Sequence, residues 1–265
     1  MSNVLRRIRV RLWLAVFAVL SVDRRCFGGW VCQRLFVAVC RWAGVAKRAR
    51  GRDVDGGRYA PQIRRHIELA ALVGATVAEK GARILDVGCG PGWLIARLRN
   101  AGYANVSGCD WTERDDADFD YTQVDLNVDG LRPYTDQSFD AVIASDVLEH
   151  LENPAAALRE MTRVLVPGGH LFITLPSCWN VYERTLFFLT GNSSRYKVER
   201  PDRQHSHISM LPSHVLINLT KRAGLRLVDM RSGFAFLFGH FWDGLKHPLF
   251  AYNLMYHYVR QEGAA

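Results

Sequence analysis

Three glycines fall within five residues in "ILDVGCGPGW" (84–93), directly after an apolar run. Two acids follow, Asp110 closing "NVSGCD" and Asp125 closing "FDYTQVD". A glycine-rich turn between a strand and a helix brings bare Cα atoms and backbone N–H groups against a ligand. A phosphate ligand needs a lysine after the glycines to balance its charge, but Trp93 and Leu94 follow Gly92. A dinucleotide site needs the last glycine of GxGxxG for close helix–strand contact. Trp93 stands at that position.

A nucleoside ligand without phosphates fits better. S-adenosylmethionine (SAM) asks for close backbone approach and for an acid that receives two ribose hydroxyls. Asp110 lies 18 residues after Gly92 at the end of the next apolar segment, where such an acid is expected. Each charge-assisted bond there contributes roughly 1.5–3 kcal/mol.

The blocks "ILDVGCGPGWL", "VSGCD", "VDLN", "FDAVIASDVLEHL" and "REMTRVLVPGGHLFITLP" together resemble class I SAM-dependent methyltransferases, in particular the ubiquinone-biosynthesis-type branch (methyltransferase type 11-like). The resemblance covers about residues 80–176. It implies that Asp86, Gly88, Gly90 and Gly92 line the methionine and ribose side of SAM, and that Asp110 takes the ribose hydroxyls. Trp111 would cover the adenine, Asp125 would accept its amino group, and Ser145 would supply backbone near the methionine amine. His150, in "DVLEHL", is the best placed general base for a hydroxyl acceptor. Methyltransferases of this kind often carry a histidine there whatever their substrate, so it also suits a loop-orienting role.

These residues need elements that hold them at one edge. The segment 61–80 has a helical period, with Ile63, Ile67, Ala70 and Ala71 as its apolar face. Strands are expected at 83–88, 105–110, 119–125, 139–145, 170–176 and 225–230, with "LMYHYVR" as the last. Helices are expected at about 92–100, 153–165 and 212–224. Asn153 caps the second of these, Pro154 opens it and "PGG" (167–169) ends it. Strands alternating with helices predict an α/β, Rossmann-like open sheet of about seven mostly parallel strands with helices on both faces. Such sheets bind ligands beyond the carboxyl ends of their strands, where the glycine turn, Asp110, Asp125 and Ser145 all fall.

The charge is unevenly placed. Residues 1–52 carry 12 Arg/Lys against one acid, Asp23, whereas 53–265 carry 22 basic and 25 acidic residues. The basic character therefore belongs to an N-terminal segment, and no nucleic-acid partner is expected for the body of the chain. The longest uninterrupted apolar run there, Leu12 to Val22, is 11 residues, about 16 Å as a helix and short of a ~30 Å hydrocarbon layer. Arg34 and Arg41 interrupt a second apolar stretch rich in tryptophan. That pattern suits helices lying on an anionic membrane surface; packing on the domain and a targeting role are the alternatives. Residues 51–60 read as a linker and 61–265 as the methyltransferase domain. The six cysteines form no CxxC pair, which suggests a reducing compartment. The expected location is cytoplasmic, peripheral on the inner face of a membrane.

Beyond Pro176 the chain inserts a long segment at about 177–210. In the fold it resembles, insertions here cover the acceptor pocket, which makes Trp179, Tyr182, His205 and His207 candidate substrate contacts. A metal held by His205, His207 and His214 is not expected, because no carboxylate cluster accompanies them in the sequence. The aromatic stretch 233–259 suits an apolar acceptor and equally a core closed by the last strand. The sequence thus predicts methyl transfer to a small-molecule, lipid, isoprenoid or envelope-glycan acceptor, at oxygen more than carbon. The competing reading is a non-catalytic SAM-fold binding or scaffold protein at a membrane surface, which the intact turn and both acids oppose.

Overall fold

The computed structural model describes residues 60–178, 180–191, 193, 207–233, 235–237, 240–242 and 247–263. The expectations for residues 1–50, the linker up to residue 59, Trp179 and His205 lie outside them. The described residues form two compact units. The larger takes residues 60–176, 207–231 and 254–263, and the smaller takes 177–193 and 232–253.

In the larger unit, α1 (Ala60–Thr76) leads into β1 (Arg83–Val87), α2 (Trp93–Asn100), β2 (Asn105–Asp110), β3 (Asp120–Gln123) and β4 (Phe139–Ser145). A one-turn 3-10 helix (Leu148–His150), α3 (Pro154–Val164) and β5 (Leu165–Pro176) follow. After α4 (Val181–Thr190) of the smaller unit come α5 (Ser213–Arg222) and β6 (Leu225–Ser232). β7 (Ala235–Leu237) and β8 (His240–Trp242) precede β9 (Asn253–Arg260). Seven strands make one sheet in the order β3-β2-β1-β4-β5-β9-β6, and the pairings β1–β2, β1–β4, β2–β3 and β4–β5 are parallel. The mostly parallel α/β sheet expected from the alternation is present. Its order reverses at β1, whose neighbours are β2 and β4, so the carboxyl ends of β1, β2 and β4 border one crevice.

Parallel strands are covered on both faces and are apolar throughout, and β4 is nearly all buried. One layer of the core joins Ile84, Val106, Ile143 and Phe172 of the sheet to Leu69, Leu72 and Val73 of α1 and Leu94, Ile95 and Leu98 of α2. Each such side chain contributes about 1.5–3 kcal/mol on burial. In β2 a Cβ on Gly108 would stand 2.7 Å from Ile95 Cδ1 and 2.8 Å from Cys89 Sγ. Glycine there lets α2 and the turn lie directly on the strand.

Two expectations are corrected, and one element was not foreseen. The inward face of α1 is centred on Arg65, Leu69, Leu72 and Val73; of the expected face, Ala70 packs against this core and Ile63 is half-buried, whereas Ala71 is exposed and Ile67 is 43% exposed. The helix is apolar on more than one side, and the bulkier stripe is the buried one. "PGG" does not end α3. Leu165 is already extended (φ −74°, ψ 143°), and residues 166–169 loop out as a bulge between the pairs Phe139↔Leu165 and Ala141↔His170. The cap is as expected: Asn153 accepts the Ala156 N–H at 3.0 Å and Pro154 occupies the first turn. Finally, β7 and β8 form a two-stranded antiparallel ribbon within the aromatic stretch, with Leu237 opposite His240.

Candidate active site

The glycine turn is shaped by what presses on it. All three glycines have positive φ, 69° at Gly88, 50° at Gly90 and 80° at Gly92. A Cβ on Gly88 would lie 2.5 Å from Val147 Cγ2, and one on Gly92 would lie 2.4 Å from Phe119 Cε1. A Cβ on Gly90 would meet nothing within 4 Å. Two glycines therefore admit neighbouring side chains, and the middle one keeps a space open. The Gly88 and Cys89 N–H groups both donate to the Cys109 carbonyl, at 2.7 and 3.1 Å, which fastens the turn across the end of β2.

Asp110 braces this arrangement. One carboxylate oxygen accepts the Gly90 N–H at 2.9 Å and the other accepts the Thr112 N–H at 3.1 Å. Each oxygen retains a second lone pair for a ligand hydroxyl. The following residue, Trp111, is 48% exposed, and Gln123 Nε2 holds its carbonyl at 3.1 Å. Tyr121 donates to the carbonyls of both Asp110 and Thr112. Asp125 accepts the Asn127 N–H at 2.9 Å through its side chain, and Asn127 Oδ1 accepts the Glu152 N–H at 2.9 Å. Asp125 thus starts a turn and also faces the crevice.

A cavity of about 220 Å³ opens between these strand ends, lined among others by Gly88, Asp110, Trp111, Asp125, Asp146 and His150. Five residues singled out from the sequence therefore meet around one space. Asp86, near the carboxyl end of β1, has 2% of its surface exposed. Burial, reinforced by the nearby Asp110 charge, pushes its carboxyl up to about 8. Gly90 and Gly92 belong to the turn above. Cys89 and Cys109 are buried, and burial raises both thiols, Cys109 to about 12. Neither is a nucleophile near neutral pH.

Ser145 is tied into a network that the sequence did not disclose. Arg65 Nε donates to Ser145 Oγ at 3.1 Å, and the Arg65 guanidinium pairs with Asp146. Thr174 Oγ1 donates to Asp146 Oδ1 at 2.7 Å, and the Asp146 N–H returns to the Thr174 carbonyl at 3.1 Å. Asp146 has φ +54°, a conformation that costs a non-glycine residue about 1–2 kcal/mol and is held here by ion pair and hydrogen bonds. Arg65 was missed because a charged residue on a helix reads as solvated. Its one sequence signal is the spacing to Leu69 and Leu72, which puts it on the buried stripe.

The 3-10 helix after β4 carries His150 to the cavity wall. Residues 207–210, the end of the insertion, run against it. Glu149 O accepts the N–H groups of Ile208 and Ser209, both at 2.9 Å, and Ser209 Oγ donates to Leu151 O at 2.6 Å. The His150 and His207 rings meet edge to face with centroids 4.8 Å apart. Glu149, fully buried, brings a carboxylate to the same place. The sequence around the insertion's histidines holds no carboxylate cluster, but the fold brings one carboxylate, Glu149, to His207. The partner comes from 58 residues earlier in the chain, not from the neighbouring sequence. His214 is exposed on α5, and Tyr182 is 45% exposed on α4 of the smaller unit.

Residues 58–230 match a family model described as a methyltransferase domain. The chain is 33% identical over 168 residues to a ubiquinone biosynthesis O-methyltransferase of Ralstonia nicotianae, covering 59% of this chain and 68% of that protein. It is 27% identical to the protein of the same name from Neisseria meningitidis serogroup C, covering 57% and 67%. Among solved structures it is similar to magnesium protoporphyrin IX methyltransferase from Synechocystis with bound S-adenosylhomocysteine. There the TM-score is 0.53 and the identity 18%, covering 85% of this chain and 95% of the other.

Proposed function

The chain belongs to the methyltransferase-domain family, and from that premise we propose that it methylates an oxygen of a lipid, isoprenoid or envelope-glycan intermediate. It is a SAM-dependent methyltransferase, and the residues of the crevice fit that cofactor. The turn offers open space at Gly90 with no lysine beside it, and carboxylates stand at the ends of β2 and β3. Asp110 receives the ribose hydroxyls, Asp125 and Trp111 hold the adenine, and the buried Asp86 carboxyl balances the positive charge of the methionine end. Ser145 and Asp146 position the backbone at the end of β4.

Bound SAM supplies a methyl group on a sulfonium, already activated for transfer. The protein's own part is to exclude water and align the acceptor, which carries much of the catalysis in such a displacement. The observation that carries the choice of oxygen is His150 in the wall of the cavity lined by Asp110 and Asp125. An imidazole there can take the proton of an attacking hydroxyl. The names of the two relatives, both O-methyltransferases, support the same choice.

The test is mass spectrometry of lipid and glycan extracts from cells with and without the protein, grown on methyl-labelled methionine. The expected result is a labelled methyl ether on an apolar product. Label on carbon would overturn the choice of oxygen, and no labelled product in either extract would overturn the acceptor class. For residues 1–50 we propose attachment to the inner face of a membrane. The full chain should co-sediment with anionic liposomes, and a chain beginning at Gly51 should not. Among the described residues no helix is long and apolar enough to cross a membrane. What supports attachment is the basic, apolar N-terminal sequence.

A further inference from the structure

We propose that Glu149, His150 and His207 form a binding site for a divalent first-row transition metal, zinc foremost, at the edge of the cofactor cavity. One ligand atom from each lies within 4.8 Å of the other two. Ligand atoms around a tetrahedral zinc, at about 2.0–2.1 Å from the ion, stand about 3.4 Å apart. The three groups thus stand within about 1.4 Å of the spacing the ion requires.

The backbone is already fixed. Three hydrogen bonds hold residues 207–210 to the 3-10 helix: two from the Ile208 and Ser209 amides to Glu149 O, and one from Ser209 Oγ to Leu151 O. The two elements that would share the ion are thus joined directly beside its ligands. Burial is graded, with Glu149 at 0% exposure and the two histidines half-buried. The carboxylate sits on the dry side, and the imidazoles face the route by which an ion would enter.

The donor set selects the metal. Two imidazoles and one carboxylate suit zinc and its first-row neighbours, whereas magnesium and calcium take oxygen donors. Three protein ligands leave a fourth position open, as in catalytic zinc sites. His150 also lines the cavity, so that open position points to an oxygen of the acceptor. A hydroxyl bound there would ionise more readily and lose its proton to solvent water, with His150 serving as ligand when the ion is bound and as base when it is not. This role rests on the reading that oxygen is methylated; the site itself does not.

The test uses the full-length protein, stripped with a chelator and titrated with Co²⁺, a coloured probe for zinc sites. One equivalent should give visible d–d bands without thiolate charge-transfer absorption, and Zn²⁺ should abolish them. Glu149→Gln, which keeps the side-chain shape, and His207→Ala should each weaken cobalt binding at least tenfold. Calorimetry with SAM should find its affinity retained in both variants, which establishes that they are folded. No d–d bands in the unmodified protein would overturn the proposal. So would thiolate absorption, or bands that survive both substitutions. No acceptor is present in the titration, so a wrong assignment of the acceptor leaves the result unmoved.

Discussion

The two walls of the crevice are built differently. The wall made by the glycine turn, Asp110 and Asp125 is mostly backbone. Its groups are placed by strand ends; Asp110 and Asp125 brace amides two residues away, and Asp110 also reaches back 20 residues to the Gly90 amide on the neighbouring strand end. The opposite rim, from Ser145 to Leu151, is held by partners far along the chain: Arg65, Thr174 and residues 207–209. A backbone wall suits a cofactor of fixed shape, because the sheet sets its geometry. A rim of side chains from separate segments depends on each of those segments staying in place.

The largest expected effect lies on the rim. Replacing Arg65 by Met leaves Asp146 at φ +54° without its ion pair, with its side chain only 18% exposed. Breaking one partner of a buried pair costs about 3–5 kcal/mol. The lower end applies, because Thr174 still bonds to Asp146. Chemical denaturation should show the loss, and a double-mutant cycle with Asp146→Asn should show coupling. A loss of less than about 1 kcal/mol would mean the rim does not depend on its distant partner.

On the cofactor wall, two glycines should separate stability from binding. Gly92→Ala meets Phe119 in a left-handed turn and should cost about 2–4 kcal/mol in denaturation. Gly90→Ala meets no neighbour and should cost only the conformational penalty, about 1–2 kcal/mol. It should nevertheless lose most SAM binding by calorimetry. Equal stability losses would erase the distinction between the glycines that admit neighbours and the one that leaves room.

The effect that is smallest at any one pH step is a pH dependence. Asp86, pushed up to about 8, holds its proton at neutral pH in the free protein. A positively charged ligand end favours the carboxylate, so binding should release a proton. SAM affinity should then rise with pH, by at most tenfold per unit, and level off above about 8. Stability without cofactor runs the other way. The native state keeps a proton that the unfolded chain gives up near pH 4, so Asp86 makes stability fall as pH rises from about 4 to about 8. Asp86→Asn should flatten both profiles.

The same division decides what can be read without a structure. The glycine turn, the alternation of strands and helices, Asn153 with Pro154, and the acids at strand ends are local patterns, and the fold follows from them. The seven-stranded sheet and the cavity shared by Gly88, Asp110, Trp111, Asp125 and His150 were legible for this reason. Arg65, Thr174 and the meeting of Glu149 with His207 depend on contacts across 28 to 81 residues. Nothing within a helical turn of any of them marks the partner. The bulge at 166–169 was misread because proline and glycine signal a break in a helix and a detour in a strand alike.

The position of β9 has a consequence for how the molecule comes together. β9 lies between β5 and β6, so β6 follows β5 in the chain and yet has no place in the sheet until a later segment arrives. Until then two strand edges are exposed, and such edges are templates for pairing with other chains. The five strands from β3 to β5 can zip by short crossovers, whereas the last two must wait for a slow, long-range closure. Aggregation during refolding should therefore start at the β5 edge, on the side away from the glycine turn.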